Sequence, residues 1–200
     1  MTEPQTRLEA ALAAFDEVNA ADPNKVEAEG LEWPKELLYA RQMTRWLERF
    51  APDASEALQL AARCQHIRRW DIPRDSYPRD RVGYLKWRTE LKQMHARIAG
   101  EILEQAGYGG DVIARVQSLL KKERLKSDPE AQTLEDVVCL VFLENWFAEF
   151  SKQHKPEKVV DIVAKTWKKM SPAGHRAALA LAEDLPRDAR ALVERALAAG

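Results

Sequence analysis

Along nearly the whole chain, apolar residues return every three or four positions, and prolines or turn residues interrupt each run. Side chains spaced this way share one face of a helix, so the repeat of the pattern constrains the fold more than any motif does. Leu8, Leu12, Phe15 and Val18 mark a first helix that Asp22-Pro23 ends. Pro34 opens a second, with Leu37, Leu38, Arg41, Trp46, Leu47 and Phe50, running to Pro52. Asp53 reads as the N-cap of a third, which passes through Ala57, Leu60, Ala61 and Cys64 to His66. The pattern returns at about Tyr84 and runs through Leu91, His95, Ile98, Ala99, Ile102 and Leu103 to Gly107; another helix begins at Asp111. After Ser127-Asp128-Pro129 comes TLEDVVCLVFLENWFAEF, apolar on nearly every side and therefore expected at the centre of a bundle. Three shorter helices, about 157–169, 172–183 and 187–198, start near Pro156, Pro172 and Pro186. No hairpin signal of the Asn-Gly type and no sustained period-two run is present. The expected fold is all-α, a single helical bundle domain over 1–200.

Composition narrows the functional classes. The 200 residues carry a net charge of -1, but the charge is uneven. Residues 1–36 hold nine acids against three bases, and residues 63–97 hold ten bases against four acids. A local basic segment in a near-neutral chain points to an anionic small molecule or an intramolecular acidic partner, and away from nucleic acid. Cys64 and Cys139 sit in apolar helical patterns without CxxC spacing, and read as buried, reduced thiols. No stretch approaches the apolar length of a membrane span, and MTEPQTRLEAALAAF has neither the basic start nor the apolar core of a signal peptide. A cytoplasmic location with no membrane partner is expected.

The unusual polar residues fall inside apolar helices: His66 in LAARCQHI, His95 in LKQMHARIAGEIL and Asp136 in QTLEDVVCLVFLE. A buried carboxylate needs a partner, a hydrogen-bond network or a metal. Two imidazoles and a carboxylate are ligand types for Zn, Fe, Mn or Ni, with Glu36 as a fourth candidate. Asp136 paired with Arg41 or Lys121 is the alternative, and Glu36 also suits a helix N-terminus on dipole grounds.

The order of these residues resembles the HD-domain superfamily of helical, metal-dependent phosphohydrolases. LAARCQHI stands where that family has an apolar run ending in His-Asp. HARIAGEILEQAGYGGDVIARV is similar to its following helix, Gly turn and next helix, and EAQTLEDVVCLVFLE to its closing Asp helix. The resemblance covers about 35–150, leaving 151–200 as a C-terminal helical extension. It implies a divalent metal (Mn, Fe, Ni, Mg or Zn) on Glu36, His66, His95 and Asp136, with His66, His95 and Asp136 as the catalytic set. Two positions depart from the pattern: Ile67 stands in place of the metal-binding Asp, and Glu36 in place of an upstream His. Over nearly its full length the chain also resembles a family of helical proteins, a domain of unknown function marked by HIRRWDIPRDSYPRDRVGYLKWR and LEDVVCLVFLE. Some of its members carry a glutamyl-tRNA synthetase label. That label lacks physical support here: His66-Ile67 is followed by Arg68-Arg69 and not Gly-His, and no βαβ pattern supplies a nucleotide-binding sheet.

Residues 67–83 break the helical pattern with Pro73, Pro78, Gly83 and five arginines, and a loop of this length in a compact domain is commonly functional. Arg68, Arg69, Arg74, Arg81, Arg88 and Lys122 are candidate phosphate ligands, because guanidinium forks grip oxyanions bidentately. The alternative is an internal network in which Asp71, Asp75, Asp80 and Glu90 neutralise the arginines. The expected function is a metal-dependent hydrolase of a phosphorylated small molecule or nucleotide. A non-catalytic helical protein sensing an anionic metabolite through the arginine-rich loop is the rival.

Overall fold

A computed structural model describes residues 6–198. It is helical almost throughout, as the periodicity predicts. Contacts divide the chain into two compact units, Met1–Leu125 and Lys126–Gly200.

The first unit opens with helix α1 (Arg7–Ala20), started by a capping box in which Thr6 and Glu9 satisfy each other's backbone N–H. Two short antiparallel strands follow, β1 (Lys25–Ala28) and β2 (Leu31–Pro34), paired from Lys25↔Pro34 to Ala28↔Leu31. Their two-residue turn, Glu29-Gly30, has both φ angles positive, the geometry of a tight hairpin turn. The hairpin was not expected from the sequence, because its strands are four residues each, too short to show a period of two; nor was the break at Trp146, which splits the expected helix TLEDVVCLVFLENWFAEF in two.

Helix α2 (Lys35–Phe50) has a proline at its N-cap and no side-chain cap of its own. Asp22 supplies one from outside: its buried carboxylate accepts from the Glu36 and Asn24 backbone N–H groups at 2.9 and 2.8 Å. Helix α3 (Glu56–Arg63) is capped by Ser55, not by the expected Asp53, and stops three residues short of His66. The chain then turns through Arg69–Asp71 and Arg74–Ser76, two single 3₁₀ turns, before α4 (Arg81–Gln105) begins under an Asp80 cap. Helix α5 (Gly110–Lys121) packs along α4. The crossing is close at Gly100, where a Cβ would lie 2.4 Å from the Gln117 amide, which donates to the Ala96 carbonyl. Arg63 ties α3 to α1 through a bidentate pair with Asp16, both bonds 2.7 Å, and to α2 through Thr44. Arg41 reaches the same carboxylate at 3.3 Å.

The second unit holds α6 (Pro129–Asn145), α7 (Phe147–Lys152), α8 (Pro156–Trp167), α9 (Pro172–Glu183) and α10 (Arg187–Ala198). Proline at the first position starts α6, α8 and α9, where its missing N–H costs nothing. Phe147, Val159, Val163, Ala182, Ala189, Val193 and Ala196 form its core. Neither cysteine is in a disulfide, and both are buried. No helix among the described residues is long and apolar enough to cross a membrane.

Candidate functional site

Three of the polar residues read from the sequence meet in the first unit. Glu36 lies in the first turn of α2, His66 in the turn after α3, and His95 midway along α4. His66 Nδ1 is 3.3 Å from Glu36 Oε2, and the two imidazole centroids are 6.0 Å apart. The His66 ring stacks on Tyr39 at 4.1 Å and 12°, which fixes its plane. Its turn is pinned from two sides. Ile67 is fully buried, and the Arg68 backbone N–H, at a left-handed residue, donates to Asn19 of α1 at 3.2 Å.

Cations surround this group. A small cleft is lined by Gln65, His66, Arg69, Arg88, Lys92 and His95, and is closed by Leu91, Leu120 and Lys122. Arg88, Lys92 and His95 share one face of α4 by their spacing of four and three. Lys122, in left-handed conformation, ends α5. Arg69 is held with its guanidinium 4.8 Å above the Trp87 ring, and Trp87 is fixed by its indole N–H to the Ile72 carbonyl at 2.9 Å. Space open to a water-sized sphere is about 10 Å³, room for about one water.

Burial and these charges set the protonation states. Burial raises the Glu36 carboxyl to about 7, against the pull of Arg69 and Lys35. The same burial, reinforced by Arg69 and Arg88, lowers His95 to about 3 and holds His66 well below its ordinary value. Both imidazoles are therefore neutral at pH 7. A hydrogen bond to the Gln65 carbonyl occupies one His95 nitrogen, while Nε2 is buried without a partner, as is Gln65 Oε1.

A family model described as "Domain of unknown function (DUF4202)" matches residues 9–193. The chain belongs to this family. No curated protein and no solved structure matches it. The site of this DUF4202 chain is thus defined by its own geometry.

That geometry divides the arginines into two groups. Arg69, Arg88 and Lys122 line the cleft with the histidines. Arg68 pairs with Asp71 at 2.8 Å on the exposed side. Arg74 donates to the Tyr77 and Pro78 carbonyls at 3.0 and 2.8 Å, Arg79 pairs with Asp75, and Tyr77 donates to Glu90. These bonds pin residues 71–80, so the loop is both a structural network and one wall of a site. Arg81 is exposed at the start of α4, outside the cleft lining. Lys92 and Gln65 belong to the lining and were absent from the sequence-based set. Lys92 was legible from its position between Arg88 and His95 on one helical face.

Asp136 has a different role from the one its apolar helix implied. Its carboxylate accepts from the Ser171 backbone N–H at 2.8 Å, the Ser171 hydroxyl at 2.5 Å and the Gln132 amide at 3.2 Å. It packs so closely on Gly174 that a Cβ there would lie 2.6 Å from its oxygen. Its oxygens are committed to the start of α9. Arg41, the alternative partner expected from sequence, is engaged with Asp16 instead. The four-residue metal set implied by the HD-like order does not fit. Among the described residues, no group of three or more His, Cys, Asp or Glu is placed to hold a metal ion. Ile67 offers no donor, and Arg69, Arg88, Lys92 and Lys122 set four positive charges where a divalent cation would have to sit.

Proposed function

We propose that this protein binds a phosphorylated small molecule or nucleotide through its phosphate, held between Arg69, Arg88, Lys92 and Lys122 beside His66 and His95. One observation carries the reading: four cationic side chains and two neutral imidazoles line one cleft that has no carboxylate in its walls. Arginine forks and lysine point charges in a partly buried setting favour an oxyanion over a cation. Entry of a phosphate requires side chains of the lining to move, since the cleft has room for about one water. A cytoplasmic location fits this ligand class.

Hydrolysis is the second reading, and the Glu36–His66 contact favours it. With its Nδ1 proton directed at Glu36, neutral His66 has its other nitrogen free to take a proton from an attacking water, and Glu36, raised to about 7, would stabilise the imidazolium formed in the fraction of molecules where it has lost its proton. Arg69 and Arg88 would stabilise charge growing on the phosphoryl oxygens. The metal-assisted form implied by the HD-like order is the variant the donor set does not fit.

A thermal-shift screen of nucleotides and sugar phosphates in the presence of a chelator tests the binding reading. Phosphate-bearing compounds should stabilise the protein, and Arg69→Ala combined with Arg88→Ala should abolish the shift. A screen in which no phosphorylated compound shifts the transition removes the reading. Release of inorganic phosphate, with and without added Mn, Fe, Ni, Mg or Zn, separates sensing from hydrolysis.

A further inference from the structure

We infer that the cleft selects a phosphate group that still carries an O–H, a monoester or inorganic phosphate, over oxyanions with no proton to donate, such as sulfate or a phosphodiester. The inference rests on the phosphate-binding reading above. The cleft contains two kinds of polar group with opposite needs. Arg69, Arg88, Lys92 and Lys122 have only donors and suit ionised oxygens. His95 and Gln65 line the same cleft, and His95 Nε2 and Gln65 Oε1 are buried and accept from no protein group.

His95 is 4 % exposed, and its other nitrogen already holds the Gln65 carbonyl, so Nε2 is a lone pair that must receive a hydrogen from a ligand or a water. In the unliganded protein the space has room for about one water to donate to these acceptors. A ligand displacing that water must bring its own donor, or two buried acceptors lose their partner. Sulfate would set an ionised oxygen against the His95 lone pair. A diester, whose non-bridging oxygens carry no hydrogen, would do the same. A phosphate monoanion meets these needs: its ionised oxygens face the cations and its one hydroxyl donates to His95 Nε2, while Gln65 can turn its amide to offer NH2 to an ionised oxygen. The nucleic-acid backbone, a chain of diesters, is rejected on the same ground, while the terminal phosphate of a small metabolite is accepted.

Titration calorimetry on the full chain tests this with inorganic phosphate, phenyl phosphate, dimethyl phosphate and sulfate. At pH 6, phosphate and phenyl phosphate should bind about tenfold or more tightly than the other two. The advantage of phenyl phosphate should shrink as pH rises through its second ionisation at about 6, when the O–H is lost. In His95→Leu the phosphate-to-sulfate ratio should fall toward one; should that variant not fold, the wild-type pH series decides. Sulfate binding as tightly as phosphate overturns the selection while leaving the anion site standing. So does sulfate binding with uptake of one proton, because His95 would then be the donor. Absence of binding by all four probes overturns the phosphate-binding reading, and the selection falls with it.

Discussion

Glu36 and His95 respond to pH in opposite senses because burial keeps both uncharged. Glu36 holds its proton more tightly folded than unfolded, so its contribution to stability is complete below 4.5 and is lost as pH rises to about 7. His95 holds its proton less tightly folded, so its contribution is complete above 6.5 and is lost as pH falls toward about 3. Chemical denaturation of the wild type and of Glu36→Gln between pH 4.5 and 7 isolates the carboxyl. The stability advantage of the wild type should decline by about 3 kcal/mol across that window. An advantage that grows with pH would mean that Glu36 is an ordinary ionised partner of a charged His66. The residues of this cluster were legible in sequence because each is polar in an apolar helical context. Their protonation was not, because it depends first on burial and then on Arg69 and Arg88 arriving from other segments. Asp136 has the same signature as His95, yet it serves a serine thirty-five residues further on. Local sequence does not distinguish a buried cap from a buried ligand.

Two helix starts in this chain are supported by distant carboxylates, beside those set by local caps. Asp22 satisfies α2 across fourteen residues, and Asp136 satisfies α9 across thirty-five. The helices themselves were readable from periodicity and from Pro156 and Pro172, because those signals lie within one or two turns. The hairpin and the Ser55 cap were not, since neither a four-residue strand nor the choice between Asp53 and Ser55 leaves a periodic trace. Asp22→Ala should cost about 1–2 kcal/mol by loosening the start of α2. Asp136→Ala leaves the Ser171 N–H and hydroxyl without their acceptor, and should cost about 2–3 kcal/mol in urea unfolding. Asp136→Ala should also leave the affinity for inorganic phosphate unchanged. Lost phosphate binding with unfolding energy intact would return Asp136 to the functional site.

At the scale of the whole chain, the charge is close to balanced, and residues 63–97 carry a marked excess of bases. Much of that stretch is spent internally. Arg63 is paired with Asp16, Arg68 with Asp71, Arg79 with Asp75 and Arg97 with Glu101, so internal ion pairs interrupt the basic stretch. Arg81 and Lys86 are exposed, whereas the group around His95 is recessed, so that its charges are shielded from mobile ions and act at short range. Recessed and surface charges respond differently to salt. Binding to an extended polyanion releases many counterions and collapses steeply with ionic strength, whereas one phosphate in a partly buried cleft involves few. Raising NaCl from 50 to 200 mM should therefore weaken inorganic phosphate by only about a few fold, where a protein making six to ten backbone contacts loses about a thousandfold or more. The protein should also pass through a heparin column at about 150 mM salt, within one Debye length of about 8 Å for any exposed pair. Retention on heparin, with a steep salt slope for duplex DNA, would move the function from the cleft to the surface and make the ligand a polymer.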